Sequence, residues 1–416
     1  MQNTNVVELK YPEGNTTDLL TDIIRRGARE LLTEAFEAEV ETFIAHFREL
    51  RTSEGKQRVI RNGYLPEREI QTGVGSVPVK VPRVRDNARK TESPIVFQSV
   101  ILPPYLRKSK SMEELLPYLY LKGISTGDIG DALKSIIGEG AKGFSSSVVS
   151  RLKLKWEQAC KDWKKRSLLD KQYAYIWVDG IHCNVRMDDK QCLLVVIGAN
   201  HEGKKELIAI EEGYRESEQS WLELLQSLYA RGLHESPQLA IGDGALGFWK
   251  AVSQVYPDTK WQRCWCHKTG NVLNKMPKTV QPKAKQKIQD IWMAETKEEA
   301  QKAWVLFIKT YQAKYDKAVN CLEKDKEALL AFYDFPAEHW KHIRTTNPIE
   351  STFATVRLRT AKVRGCFSSK TVVSMAFQLC RSAEKKWHKL NCPEKVIDVL
   401  TEKKFVDGIR VDKKAA

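Results

Sequence analysis

With 416 residues, 42% of them hydrophobic and 29% charged, the chain is neither disordered nor membrane-embedded in composition, and no apolar run approaches the length of a bilayer span. Lys and Arg outnumber Asp and Glu by 68 to 53, a formal charge of +15, and an excess of that size points to a polyanionic partner, nucleic acid first. The length predicts about two to four domains. The nine cysteines, an odd number without framework spacing, predict reduced thiols. The first residues carry no basic stretch followed by an apolar core, which predicts a chain that stays in the cytoplasm.

The first segment, residues 1–54, reads as helical, with Leu19, Leu20, Ile23, Ile24, Leu31, Leu32, Phe36, Val40, Phe43, Ile44 and Phe47 at three- and four-residue steps after a start at Thr17-Asp18. Residues 55–105 change to alternation, Val74, Val77, Val79 and Val81 interrupted by Gly73, Gly75, Pro78 and Pro82, which predicts short β-structure. Arg61, Arg83 and Arg85 stand among its many basic residues, interleaved with Tyr64, and suit contacts to DNA phosphates.

Residues 106–165 read as short helices with turns at Gly123-Ile124-Ser125-Thr126 and Gly143-Phe144-Ser145-Ser146-Ser147. A helix at Asp128–Leu133, a turn, and a helix opening at Ser147 with Arg151 and Lys153 resemble a helix-turn-helix, whose recognition helix enters the major groove of double-stranded DNA. A basic helix from about Trp156 to Arg166 comes after it.

From residue 166 to 266 the pattern is α/β. Tyr175–Gly180, Cys192–Ile197 and Glu206–Ile210 read as three successive buried strands. A helix over Ser217–Arg231 with Trp221, Leu224, Leu225 and Leu228 inward comes next, then the strand Leu239–Gly244, a helix carrying Leu246, Trp249, Val252 and Val255, and a strand at Lys260–Cys264. Two of these strands end in Asp-Gly, at Asp179 and Asp243. Asp-Gly is also an ordinary turn signal, but two buried strands in one sheet with the same acidic ending bring both acids to one edge, where open α/β sheets place their sites. Residues 267–342 break the rhythm and read as an all-α insertion. Residues 343–392 resume with a helix started by Thr346-Asn347-Pro348-Ile349-Glu350, running through Arg364, and a last helix over Thr371–Leu390. Residues 393–416 read as a loose tail.

Asn347 as cap and Pro348 at the first position would make Glu350 the third residue of a capping box. The apolar face Ile349, Phe353 and Val356 would also lay this helix on the sheet, with Glu350 beside the two aspartates and Arg357 on the same side to meet a phosphate. Three carboxylates without a nucleophilic Ser or Cys constellation suit two Mg²⁺ ions about 4 Å apart, with Mn²⁺ as a substitute, and phosphodiester chemistry.

Trp177-Val178-Asp179-Gly180, Ile241-Gly242-Asp243-Gly244, Gln262-Arg263-Cys264-Trp265-Cys266-His267-Lys268 and Thr346-Asn347-Pro348-Ile349-Glu350-Ser351 resemble the motifs of the bacterial Mutator-type insertion-sequence transposases. Arg61-Asn62-Gly63-Tyr64 and Val81-Pro82-Arg83-Val84-Arg85 resemble that family's amino-terminal half. The resemblance implies a ribonuclease H-like catalytic domain interrupted by the helical insertion, with Asp179, Asp243 and Glu350 as an acidic triad holding the metal. Cys264 and His267 match the family's Cys-x-x-His. A zinc site needs four ligands and no second pair at finger spacing lies nearby, so these two are expected to support the floor of the site. The function implied is a DNA transposase of a bacterial nucleoid that binds its element's terminal inverted repeats, cuts strands and joins them to target DNA, as a homodimer when assembled on DNA, with no membrane role. The alternatives are a catalytically inactive helix-turn-helix regulator and a simple metal-dependent nuclease.

Overall fold

The computed structural model describes residues 19–88, 94–121, 124, 131, 133–134, 146–184, 190–213, 215–244, 246–362 and 369–411. The chain divides into two compact units, residues 1–149 and 150–416. None of the described helices is long and apolar enough to cross a membrane, and the described cysteines are free.

In the first unit the expected amphipathic helix is α1 (Leu19–His46), which buries Phe36 and Val40. The alternating stretch forms two antiparallel pairs: β1 (Val59–Tyr64) with β4 (Pro82–Asp86), and β2 (Arg68–Thr72) with β3 (Gly75–Val79). Alternation decides the packing, since Val77 and Val79 point inward with Ile70, Val81 and Leu102 to close a core over Phe36. Arg58 grips Asp86 through Nε at 3.1 Å and Nη2 at 3.0 Å. That pair, helped by the Ile95 and Ala88 amides, holds the Asp86 carboxyl down to about 2. A short helix, α2 (Lys110–Leu121), completes the described part.

The turns and the short helix expected at Gly123–Ser145 lie largely outside the described residues. Beyond them runs one helix, α3 (Ser146–Lys164), where the sequence suggested a short helix and then a separate basic one. Nothing between them stops it, since no Gly or Pro falls between Ser146 and Arg166.

The second unit is a mixed α/β fold. Its sheet has the order β7-β6-β5-β8-β9: β5 (Tyr175–Asn184), β6 (Lys190–Ala199) and β7 (Lys205–Gly213) form an antiparallel meander, while β8 (Leu239–Gly242) and β9 (Lys260–Arg263) run parallel to β5. β5, β7, β8 and β9 therefore all end at one edge. On one face lie α4 (Glu218–Ala230), capped by Ser217, and α5 (Leu246–Val255). Trp221, Leu224, Leu225, Leu228, Phe248 and Val252 from these helices meet Ile176, Val178, Leu194, Val196 and Ile208 of the strands.

Between β9 and the returning sheet helix the chain is helical, as expected: α6 (Trp265–Leu273), α7 (Gln281–Met293), α8 (Lys297–Tyr311), α9 (Asp316–Glu323), α10 (Lys326–Leu330) and α11 (Trp340–Ile343), with two 3₁₀ turns before the last. α12 (Asn347–Lys362) then packs on β5, with Ile349, Phe353 and Val356 buried as their spacing predicted, and α13 (Ser369–Glu384) packs on β7. The segment expected to be a loose tail instead carries α14 (Lys395–Leu400) and a hairpin of β10 (Phe405–Val406) and β11 (Ile409–Arg410). The hairpin turns at Asp407 and Gly408, both at positive φ, and is fastened to the body. Gly408 N–H donates to Tyr333 O at 3.1 Å, and Asp407 Oδ1 accepts from Lys297 N–H at 2.7 Å.

Trp221 tests this packing. It is 1% exposed and meets Phe248 edge to face, yet its indole N–H has no acceptor among the described residues. Trp221→Ala should lower stability by about 3–5 kcal/mol, whereas Trp221→Phe, which also removes the orphaned donor, should cost clearly less; urea denaturation followed by circular dichroism measures both.

Candidate active site

The two expected aspartates come from neighbouring parallel strands. β5 and β8 pair through Tyr175↔Leu239, Ile176↔Ala240 and Trp177↔Ile241, so Asp179 and Asp243 each stand the same short step beyond the last pair. β5 does not end there, as its sequence suggested. β6 keeps pairing with it as far as Asn184↔Lys190, and Asp179 becomes an interior strand residue, 7% exposed, with Gly180 N–H donating to its Oδ1 at 2.8 Å. β8 does end, and the chain turns at Gly244 with φ +101°, where the Arg263 guanidinium occupies the space that a side chain at 244 would need.

A further carboxylate reaches this edge. Glu216 lies in the bend between β7 and α4, and its carboxylate covers Gly180: a Cβ added there would stand 2.3 Å from Glu216 Oε1. His182 Nε2 is 3.7 Å from the same oxygen. Burial, then the charges of Asp243 and Glu216, raise Asp179 to about 7; burial and then Asp243 raise Glu216 to about 7. Among the described residues no Lys or Arg forms an ion pair with either. The His267 imidazolium offsets part of this rise for both, and carboxylate oxygens are the donor type that Mg²⁺ or Mn²⁺ takes. Sequence reading missed Glu216 because a Glu ahead of Ser217 looks like part of a helix cap. The signal available was that the third strand of a meander runs parallel to the first and so ends at the same edge.

The second cluster fastens Glu350. Cys264, at the end of β9, donates its N–H to Gly242 O at 2.8 Å, and its sulfur accepts from Thr346 N–H at 3.4 Å. The Thr346 hydroxyl has one proton to give; Glu350 Oε1 lies 2.8 Å away and the sulfur 3.3 Å, so the shorter contact takes it. His267 Nδ1 is 3.6 Å from Glu350 Oε1, and Cys264, then Asp243 and Glu350, hold its imidazolium up to about 9.

The cap of α12 is one residue earlier than expected. Thr346 O accepts from Glu350 N–H at 3.1 Å, which makes Thr346 the cap, carries Glu350 past the capping-box position and leaves its carboxylate to the site. Two sets of potential ligand atoms lie within 4.8 Å of one another, Cys264–His267–Glu350 and His182–Cys192–Glu216. The oxygens of Asp179 and Asp243 form such a set neither with Glu350 nor with Glu216. Glu350 rests on Thr346 and His267. Arg357 is exposed on α12, its guanidinium 5.8 Å from the Phe353 ring.

Among the basic residues expected at DNA, the structure separates two kinds. Arg61 and Tyr64 both bind Glu37 of α1, Arg61 Nη2 at 2.6 Å and the Tyr64 hydroxyl at 2.7 Å, with the guanidinium 4.8 Å above the Tyr64 ring. Both side chains are nonetheless exposed. Arg83 and Arg85 alternate along β4 and are exposed. On α3, Arg151 is exposed and Lys153 half-buried.

Residues 2–389 match the family model described as transposase, Mutator family. The chain is 50% identical over 286 residues to the transposase for insertion sequence element IST2 of Acidithiobacillus ferrooxidans, a match covering 67% of this chain and 95% of that protein. It is 49% identical over 286 residues to the transposase for insertion sequence element IS6120 of Mycolicibacterium smegmatis, covering 68% of this chain and 88% of the relative. With the transposase for insertion sequence element IS905 of Lactococcus lactis the identity is 27% over 347 residues, covering 82% and 84%.

The crowded carboxyls predict a pH dependence. Asp179 and Glu216 sit at about 7, above their ordinary 3.8 and 4.5, so the folded chain holds protons that the unfolded chain has released. The stability this gives is full below about pH 4 and is lost as pH rises to about 7. In EDTA the melting temperature should therefore fall across that window, and fall less in Asp179→Asn; equal slopes in the two proteins would show that Asp179 is not strained.

Proposed function

The chain belongs to the Mutator family of transposases, and we propose that it performs the family's reaction with Asp179, Asp243 and Glu350. In this reading it binds the terminal inverted repeats of its element, cleaves the DNA strand and joins the freed 3′-hydroxyl to target DNA. The observation that carries it is the matched register of Asp179, inside β5, and Asp243, just past the end of β8, with Glu350 in the first turn of α12 packed on β5. We read the second unit as ribonuclease H-like, supported by its sheet order, a three-stranded antiparallel meander extended by two parallel strands. The helices of residues 267–342 then form the insertion between the second Asp and the Glu.

Asp179 and Asp243 are the residues that would hold Mg²⁺, and Mn²⁺ would take the same oxygens. The bound ion would supply charge neutralisation at the phosphate and activation of the attacking oxygen. The chain's own side chains do the positioning. Asp179, fixed within a strand, cannot swing to solvent. His267, protonated and facing both Asp243 and Glu350, orients the third acid. Arg357, exposed one helical face along, meets the DNA backbone.

End recognition we assign to residues 1–165. The exposed Arg83 and Arg85 of the β-region would supply phosphate contacts, Arg151 and Lys153 near the start of α3 the groove contacts of a helix-turn-helix, and two protomers would pair when assembled on DNA ends.

Asp179→Asn, Asp243→Asn and Glu350→Gln should each lower cleavage and joining of end DNA at least about a hundredfold while leaving end binding near the parent's. Glu350→Gln keeps an oxygen for the Thr346 hydroxyl, so cleavage at the parent's rate by that variant would sink the triad, and cleavage without joining would indicate a simple nuclease. A mobility-shift series on the full chain tests recognition. Arg83→Ala with Arg85→Ala should weaken DNA binding and reduce its salt dependence by roughly two phosphate contacts. Arg61→Ala should act mainly on the stability of the first unit. Equal affinity of the parent for end and scrambled DNA would refute sequence-specific binding.

A further inference from the structure

We propose that His182, Cys192 and Glu216 form a binding site for Zn²⁺, separate from the catalytic acids and independent of the function proposed above. Alternation along the sheet brings the three together. Ile176 and Val178 of β5 and Leu194 and Val196 of β6 face α4 and α5, so Gly180 and His182, two and four residues beyond Val178, lie on that face too. Cys192 belongs to the same core and stands directly opposite His182 in the antiparallel ladder. The last residue of β7, Gly213, pairs with Cys192, and the chain leaving it brings the Glu216 carboxylate over Gly180, into the place where any other residue at 180 would put its side chain. Asp179 is out of phase with these residues. It alternates with Tyr175 and Trp177, which bond His339 and His342 on the other face, so β5 itself lies between Asp179 and the three donors.

Kind and spacing of the donors both fit. One imidazole nitrogen, one thiol sulfur and one carboxylate oxygen lie within 4.8 Å of one another, and His182 Nε2 is 3.7 Å from Glu216 Oε1. Zn²⁺ holds nitrogen and oxygen at about 2.1 Å and sulfur at about 2.3 Å, so donors around one tetrahedral ion stand roughly 3.3–3.6 Å apart. The observed 3.7 Å is too long for a hydrogen bond and close to that spacing. Small side-chain rotations close the set. Among the described residues no hydrogen bond engages these three side chains in another use, and the cap of α4 is made by Ser217, whose hydroxyl oxygen accepts from Ser220 N–H at 3.2 Å. The other mixed set, Cys264, His267 and Glu350, is already engaged: the Cys264 sulfur accepts from Thr346 N–H and Glu350 Oε1 from the Thr346 hydroxyl.

A thiolate and an imidazole beside one carboxylate suit Zn²⁺ and not Mg²⁺. His182 is half-exposed, so the fourth position opens to water, and three protein ligands with one water is an arrangement that Zn²⁺ accepts. On binding, the Cys192 thiol gives its proton to solvent and His182 coordinates as the neutral imidazole. The ion joins β5, β6 and the bend after β7, and braces from behind the strand that carries Asp179.

The test is Co²⁺ titration of the full-length chain after EDTA treatment and dialysis. A tetrahedral Co²⁺ with a thiolate ligand shows a charge-transfer band in the near ultraviolet and d–d bands in the visible, and Zn²⁺ displaces both. The parent should show them, and Zn²⁺ should raise its melting temperature. Cys192→Ser should lose the charge-transfer band that forms at the lowest Co²⁺ concentration. His182→Ala and Glu216→Gln should each weaken Zn²⁺ binding at least about tenfold, read by competition with a chromogenic chelator. A parent without the band overturns the inference. So does a band that survives Cys192→Ser unchanged, which places the thiolate elsewhere, at Cys264 first. Cys192 is buried, so if the serine variant melts below the parent in EDTA, His182→Ala decides: its ring is half-exposed, and Zn²⁺ affinity within about twofold of the parent there overturns the inference equally. No arm reads strand cleavage, so either result leaves the catalytic proposal to its own test.

Discussion

Negative charge held in an apolar sheet edge is the constraint around which the second unit is arranged. Asp179 lies within a strand whose neighbours Trp177, Val178 and Ile181 are all buried, and both flanking strands are bonded to it. It cannot relax toward water by fraying. The strand is also held from outside: the Tyr175 hydroxyl bonds His339 Nδ1 at 2.7 Å, and Trp177 Nε1 donates to His342 O at 3.0 Å. Such rigidity makes the burial of charge costly to the fold, and the same rigidity holds the carboxylate oxygens in one place, as the proposed site requires. Stability is given up at this edge and recovered in the aromatic and aliphatic core on the α4–α5 face.

A helical segment of this length can interrupt the unit because its two ends meet. Trp265 N–H donates to Arg344 O at 3.0 Å, closing the excursion with one backbone bond, so the sheet sees only a local junction. Side chains seal it. Gln262 Nε2 and Trp265 Nε1 both donate to Leu329 O, at 3.1 and 2.8 Å, and Arg263 and Lys268 share Asp325. The Cys264 and Thr346 pair lies at the same junction. Its contribution is positional: it ties the end of β9 to the start of α12, and so fixes the distance between the aspartate edge and the helix that bears Glu350.

The strands of the second unit were legible because their apolar runs are buried on both faces, and the matched register of Asp179 and Asp243 followed from the repeated Asp-Gly ending. The helical insertion was legible from the loss of strand pattern. The start of α12 was misread by one residue, since Thr346 and Asn347 are both good caps and only the observed bonds distinguish them. Glu216 escaped notice because its position is set in three dimensions: it depends on Gly180, far back along the chain, having no side chain. The contacts of Arg61 and Tyr64 with Glu37 were not legible, because Glu37 belongs to a helix distant in sequence. The Asp407-Gly408 turn carried a hairpin signal, but strands as short as Phe405–Val406 and Ile409–Arg410 give no alternation to support it.

The resting position of Glu350 limits how the proposed site can become active. Its helix start is fixed by Thr346, whose amide bonds Cys264 and whose carbonyl caps α12, while Ile349 and Phe353 are fully buried. Moving the backbone toward the aspartates would break that junction and open the core beneath it. The side chain is different: it is 34% exposed, and one hydroxyl bond and the facing imidazole hold it. Turning about its own bonds gives up one hydrogen bond of roughly 1 kcal/mol net, which a divalent cation in reach of its oxygens easily offsets. The Glu350 carboxylate can therefore turn while α12 stays in place, and that is the freedom the proposed triad asks of it.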